Sequence, residues 1–202
     1  MDYYHNIITQ KSWEELTKLG KTCNFVLIGG WATYLYTKTL KSKDIDILTH
    51  YEELGKLRKN YNVTKNERLK KYEARREEIQ IDIYLPHYSV IGIPVEDLIK
   101  QTTSFEGFTL LKKEWLLSLK IYVLNQRLRS TKGEKDFLDI LSLFKTDINA
   151  PQLLKIIKKY KLESAFKVFM EILNERNEAL EINLNRHKYK KLKNNIILSM
   201  KI

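Results

Sequence analysis

Residues 24–48 read NFVLIGGWATYLYTKTLKSKDIDIL, and this stretch decides the fold. Asn24 to Ile28 is a short apolar run that ends at Gly29-Gly30. Its length and its Val26 and Ile28 predict a buried strand. Trp31 to Thr39 reads as a helix that starts directly after the glycines. Lys43-Asp44-Ile45-Asp46-Ile47-Leu48 alternates until its apolar end and predicts a second strand. Side chains two apart on a strand share a face, so Asp44 and Asp46 are expected on one face and Ile45 and Ile47 on the other. Taken singly, the glycine pair also fits a simple tight turn, and the two aspartates also fit a solvated strand. Residues 29–34 read GGWATY, without G-x-G-x-x-G, and no G-K-[ST] follows, so neither a dinucleotide fingerprint nor a P-loop is present.

Working outward, Ser12 to Leu19 predicts a helix with Ser12 and Glu15 as a capping box and Gly20 as its stop. Tyr51 to Lys59 predicts another, with Thr49 and Glu52 as a cap pair. Residues 61–78 are polar, with 62–64 and 71–75 as candidate strands. Ile79 to Leu85 alternates strictly before Pro86 and predicts a strand on which Gln80, Asp82 and Tyr84 share a face. A short helix is expected over 93–98 and a strand or turn over 105–111. From Lys113 onward the pattern is helical, over 113–128, 134–144, 151–160 and 162–181, and 185–201 reads as a basic helix or tail. Strands mixed with helices, then helices alone, predict an α+β protein: a small mixed-sheet domain over 1–100 and a helical domain over 101–202.

Composition narrows the function classes. The chain has 202 residues, 43% hydrophobic and 30% charged, enough apolar material for a core. One cysteine, Cys23, excludes an internal disulfide, and no Cys/His cluster has zinc spacing. No apolar run reaches membrane-spanning length and the first ten residues carry no signal pattern, so no membrane association and a reducing cytoplasm are expected. The net charge of +11 divides into +2 over 1–100 and +9 over 101–202. A basic half suits an anionic partner such as nucleic acid, although lysine-rich surfaces also occur without one.

Three aspartates on alternating strands carry the chemistry. If the strands of Asp44, Asp46 and Asp82 pair, their carboxylates converge. Clustered carboxylates repel unless a cation neutralises them, and hard oxygens suit Mg²⁺ or Mn²⁺. Two such ions about 4 Å apart serve phosphoryl chemistry by activating a hydroxyl and holding a leaving group.

The order strand, Gly-Gly, helix, D-x-D, then one Asp on a later strand resembles the nucleotidyltransferase superfamily that includes DNA polymerase beta. Ile28-Gly29-Gly30-Trp31-Ala32 resembles its glycine motif, Ser42-Lys43-Asp44-Ile45-Asp46-Ile47 its D-x-D motif, and Asp82 falls where its third carboxylate is expected. Leu116 to Lys120, Arg127 and Lys135 to Ile140 are similar to the helical domain of the minimal nucleotidyltransferases, and among these most closely to toxins of abortive-infection type. The chain departs from the family pattern at Gly30, where many members have Ser; at Leu40, where toxin-type members have Arg; and at Ser42, which replaces Thr.

The resemblance implies a metal-dependent transfer of NMP from an NTP such as ATP to an acceptor hydroxyl. Asp44, Asp46 and Asp82 would be catalytic and would hold two Mg²⁺ or Mn²⁺ ions. Gly29, Gly30, Ser42, Lys120, Arg127 and Lys135 would bind the nucleotide, with Asp136 and Asp139 orienting the cations. The basic second half, with five Lys/Arg among residues 186–193 and Tyr189 between them, suggests RNA such as tRNA as the acceptor. A protein or small-molecule acceptor and a cognate toxin or antitoxin are further partners the resemblance implies. A catalytically silent nucleic-acid-binding or toxin-partner protein on the same scaffold is the other reading.

Overall fold

The computed structural model describes residues 2–200. It divides into two compact units, Met1–Lys112 and Lys113–Ile202. The first contains α1 (Asp2–Thr22), β1 (Val26–Ile28), α2 (Gly29–Thr37), β2 (Ile45–Leu48), α3 (Tyr51–Leu57), β3 (Asn62–Asn66), β4 (Lys71–Arg76), β5 (Ile79–Tyr84), α4 (Val95–Leu98), β6 (Thr102–Phe105) and β7 (Phe108–Leu111). The second contains α5 (Lys113–Arg127), α6 (Thr131–Phe144), α7 (Ala150–Lys159), α8 (Glu163–Glu175) and α9 (Arg186–Ser199). The α+β class expected from the sequence is what the structure has.

All seven strands form one sheet in the order β3-β4-β5-β2-β1-β7-β6. The β2–β5 and β1–β7 pairs are parallel and the rest antiparallel. The three strands with sequence signals, β1, β2 and β5, lie together at the centre, where each is flanked on both sides. Ile45, Ile47, Ile81 and Ile83 are fully buried, and Ile79 nearly so. The face that carries Asp46, Gln80, Asp82 and Tyr84 is half-buried. The apolar half of each alternation therefore fills the core, which leaves the polar half of both strands on the opposite face.

The sequence placed the domain boundary at residue 100, and the structure places it at 112. The difference is the β6–β7 hairpin, which pairs with β1 through Leu27 and Leu110 and so extends the sheet. Thr102-Thr103-Ser104 is too polar and exposed to signal a strand by apolar periodicity.

Two expected caps are absent. Ser12 lies in the middle of α1, where its Oγ accepts from Trp31 Nε1 at 2.9 Å, and Glu15 accepts from the Tyr61 hydroxyl at 2.7 Å. Both polar groups fasten α1 to other elements instead of ending it. The N-cap of α3 is His50, without a side-chain bond, while the Thr49 hydroxyl donates to the Asn24 carbonyl at 2.6 Å.

In the second unit α5 packs against α6, α7 and α8. Phe144 stacks on Phe169 at 5.7 Å between ring centres, and Phe137 and Phe166 each lie 6.0 Å from Phe169. Ser130, Asn149 and Asn185 cap α6, α7 and α9 by accepting the backbone N–H three residues on. Because Ser130 is a cap, α6 begins at Thr131, three residues before the start expected at 134. The helix expected over 162–181 stops at Glu175. Beyond it Ala179 and Leu184 exchange both backbone hydrogen bonds around a 3₁₀ turn, and Asn183 takes a left-handed conformation. No helix among the described residues is long and apolar enough to cross a membrane.

Candidate active site

The site is built on the central strands. Asp46 pairs with Ile28 across β1–β2 and with Asp82 across β2–β5, so Asp46 and Asp82 stand side by side on one face. Adjacent strands lie about 4.8 Å apart, which sets the spacing of the two backbones. Asp44 lies in the exposed bend just before β2. Ser42 is buried in the same connection.

Gly29 follows Ile28 and opens α2 with φ +67°. A Cβ placed on it would fall 2.1 Å from Asp46 Oδ2. Only glycine allows this carboxylate to lie against the β1–α2 corner, for reasons of both sterics and backbone angle. Gly30 is buried within α2. The N-cap residue of α2, Ile28, makes no side-chain cap, and no acid lies in the first turn of α2, so this helix start suits an anion.

Two residues of this face carry no signal in the sequence reading. Glu73 on β4 pairs with Asp82 across β4–β5, which extends the row of carboxylates to Asp46–Asp82–Glu73 over three neighbouring strands. Lys71, two residues earlier and 7% exposed, donates to Asp82 Oδ2 at 2.5 Å and lies 3.4 Å from Glu73 Oε1. Gln80 Nε2 donates to Asp82 Oδ1 at 2.8 Å. The Asn66 amide, together with Lys71, holds the Glu73 carboxyl below its ordinary value against the opposing effect of burial. Only the register of β4 against β5 reveals this pair, since Lys71-Tyr72-Glu73 is otherwise an ordinary polar stretch.

Among the described residues no three His, Cys, Asp or Glu side chains gather in a group that could hold a metal ion. Mg²⁺ is commonly held by one or two carboxylates together with substrate phosphates, and not by an all-protein cage. Asp44 and Asp46 supply hard oxygens of the kind such an ion takes. Asp82 is the neighbour of Asp46 but is already engaged by Lys71 and Gln80. A cavity of about 290 Å³ in this unit is lined by Cys23, Val26, Leu48, His50 and Phe108 among others. None of the predicted site residues lines it. Asp46 and Asp82 are half-buried on their sheet face, and Glu73 beside them is 8% exposed.

In the second unit Lys120 is 8% exposed and donates to Asp136 Oδ1 at 3.0 Å and Asp139 Oδ2 at 2.7 Å. Arg127 Nη1 donates to Asp136 Oδ2 at 2.7 Å and keeps 44% of its side chain exposed. The two aspartates orient two of the three predicted cations. Lys135 is half-buried. Burial alone would lower the Lys120 pKa, but Asp139 and Asp136 hold it above its ordinary value. Burial in turn pushes the Asp139 carboxyl up, against the pull of Lys120. Burial thus opposes the charged form of both partners, and the hydrogen-bonded contacts between them offset that cost.

The sequence matches no protein-family model, and it matches no curated protein. The fold does have solved counterparts. A candidate nucleotidyltransferase from Helicobacter pylori aligns with a TM-score of 0.52 at 19% identity, over 95% of this chain and 93% of that one. JHP933, also from Helicobacter pylori, gives 0.51 at 19% identity over 95% and 91%. The antibiotic-resistance factor ANT(2'')-Ia gives 0.51 at 16% identity over 87% and 97%. At these identities the likeness establishes architecture, and that architecture is the nucleotidyltransferase-like fold.

Proposed function

We propose that this protein is a metal-dependent nucleotidyltransferase that moves NMP from an NTP, such as ATP, to an acceptor hydroxyl. The observation that carries the reading is the Gly29–Asp46–Asp82 corner. A glycine helix start lies against one carboxylate, and a second carboxylate stands beside it on the neighbouring parallel strand. Asp44 and Asp46 would hold Mg²⁺ or Mn²⁺, and Asp82 would share the second of two ions once nucleotide is present. Bound there, such ions supply charge neutralisation and Lewis-acid polarisation of the phosphates.

The chain's own groups account for the rest. The backbone at Gly29 and Gly30 binds phosphate oxygens, with Ser42 in the adjoining connection. Asp82 accepts the proton of the acceptor hydroxyl. The acceptor oxygen bonds to the α-phosphorus, the bond to the β-phosphate oxygen breaks, and pyrophosphate leaves. The motif resemblance alone assigns Lys120, Arg127 and Lys135 to the triphosphate charge; within their own unit Asp136 and Asp139 hold Lys120, and Asp136 holds Arg127. Positioning and electrostatics would supply most of the rate.

RNA such as tRNA is the acceptor that the charge favours. Residues 186–193 carry five Lys/Arg and no acid. Arg176, Arg186, Lys190 and Lys193 line one groove of about 650 Å³. A protein acceptor, and a place in a toxin–antitoxin pair with its cognate partner, rest on the motif resemblance alone.

The test is to incubate the purified protein with each labelled NTP, Mg²⁺ and total cellular RNA. Label is expected in one macromolecule, and Asp46→Asn is expected to fold normally while losing 100-fold or more in transfer. RNA retained in EDTA with no label transferred by the unmodified protein would identify a silent binder and overturn the reading.

A further inference from the structure

The cavity of about 290 Å³ in the first unit has no part in the transfer proposed above. It lies where β1 begins and β2 ends, against the C-terminal end of α1 and the β6–β7 turn. Val26 and Leu48 of its lining pair across the two strands. They stand two residues along each strand from the Ile28–Asp46 pair, on the side away from Gly29. That is about 7 Å along the sheet, so the cavity adjoins the carboxylate row and shares no residue with it. Its lining is uncharged. Although 30% of the chain is Asp, Glu, Lys or Arg, none of these lines the cavity. Phe25, Val26, Leu48, Ile99 and Phe108 supply its apolar part. Phe108 is held in place by Trp13, 5.7 Å away between ring centres, and by the chain at Gly20, where a Cβ would lie 3.4 Å from the phenyl ring. His50 and Thr109 also line the cavity and are exposed. The His50 imidazole and the Thr109 hydroxyl hydrogen-bond to no other described residue.

We propose that this cavity is a binding site for an uncharged, planar heteroaromatic small molecule. A closed apolar cavity of roughly 150 Å³ holds a single benzene ring, so a space about twice that size takes a fused two-ring molecule. Two phenylalanines among aliphatic side chains favour a flat apolar body. His50 and Thr109 can each donate or accept a hydrogen bond, and a ring N–H or ring nitrogen of the ligand meets them. A charged ligand would set its charge against an uncharged lining and lose hydration without gaining a partner. The site needs neither metal nor nucleotide, so it stands or falls independently of the nucleotidyltransferase reading.

The experiment titrates the full chain, without metal or nucleotide, with benzimidazole, a neutral fused two-ring molecule that has one ring N–H and one ring nitrogen. Benzimidazole-5-carboxylate is its charged counterpart. Binding is read by calorimetry and by the His50 imidazole resonance, assigned with His50→Gln. Benzimidazole is expected to shift that resonance saturably, with half-saturation at about 1 mM or below. The carboxylate is expected to bind about tenfold more weakly or not at all. Thr109→Trp, which fills part of the cavity from an exposed strand position, should cost about tenfold in affinity. His50→Ala should cost about fivefold, and it decides the matter if the tryptophan variant fails to fold. Absence of a saturable shift in the unmodified protein, or undiminished affinity in the folded variants, would overturn the site. Equal affinity for the carboxylate would overturn the uncharged class of ligand.

Discussion

At Gly29 a backbone angle and a contact distance impose the same requirement. Its φ of +67° disfavours any side chain, and the space a Cβ would take is filled by Asp46. Gly29→Ala should therefore cost about 1–2 kcal/mol in backbone conformation alone and should also displace the Asp46 carboxylate. The expected result is a lower midpoint in urea together with weaker Mn²⁺ binding. Loss of stability with metal binding intact would show that the corner does not set the position of Asp46. The glycine pair, Asp46 and Asp82 were legible as a pattern, because strand alternation fixes which side chains share a face, whereas Asp44, expected on the same strand as Asp46, lies in the bend before β2. Lys71 and Glu73 were not legible. Polar residues on an edge-side strand carry no periodic signal, and only the β4–β5 register sets them opposite Asp82.

At the scale of elements, several segments show how tertiary partners override local signals. Ser12 and Glu15 have the spacing of a capping box, yet each is used by a group from another element, Trp31 and Tyr61. The Thr49 hydroxyl is likewise taken, by the Asn24 carbonyl. In the second unit Lys120 and Arg127 lie seven residues apart on α5, two turns along one face, and their partners Asp136 and Asp139 come from α6.

The basic helix α9 is held by Tyr189, which is 2% exposed and donates to the Leu173 carbonyl at 3.0 Å. That buried ring anchors the helix and is not free to stack on a base. Burial pushes its phenol up to about 12. A phenol raised on folding stabilises below its ordinary pKa and loses that contribution as pH rises toward the folded value. The stability of the unmodified protein relative to Tyr189→Phe should therefore fall by about 2 kcal/mol between pH 9.5 and 12. Denaturant melts of the two proteins across that range give the measurement, and a constant difference would mean that Tyr189 is not anchored this way.

For the whole molecule, charge is distributed unevenly. Almost all of the net +11 lies in the second half, and α9 carries five cations without an acid. If the groove beside α9 engages about four phosphates of a single-stranded RNA, affinity should fall roughly 20-fold between 50 and 150 mM salt. Reversing Lys190 and Lys193 to Glu should flatten that slope. A slope near zero in the unmodified protein would remove RNA as the acceptor and leave the carboxylate site untouched.

The sequence by itself determined the α+β class, the glycine corner and the polar face of the central strands, because each follows from short-range periodicity and backbone sterics. Only the tertiary structure decided the end of the first unit at residue 112, the use of Ser12 and Glu15 as fasteners, and the clamp of Lys71 on Asp82. Each of those depends on which distant segments pair and in what register, and strand register is set by burial of the whole sheet and not by any local stretch of chain.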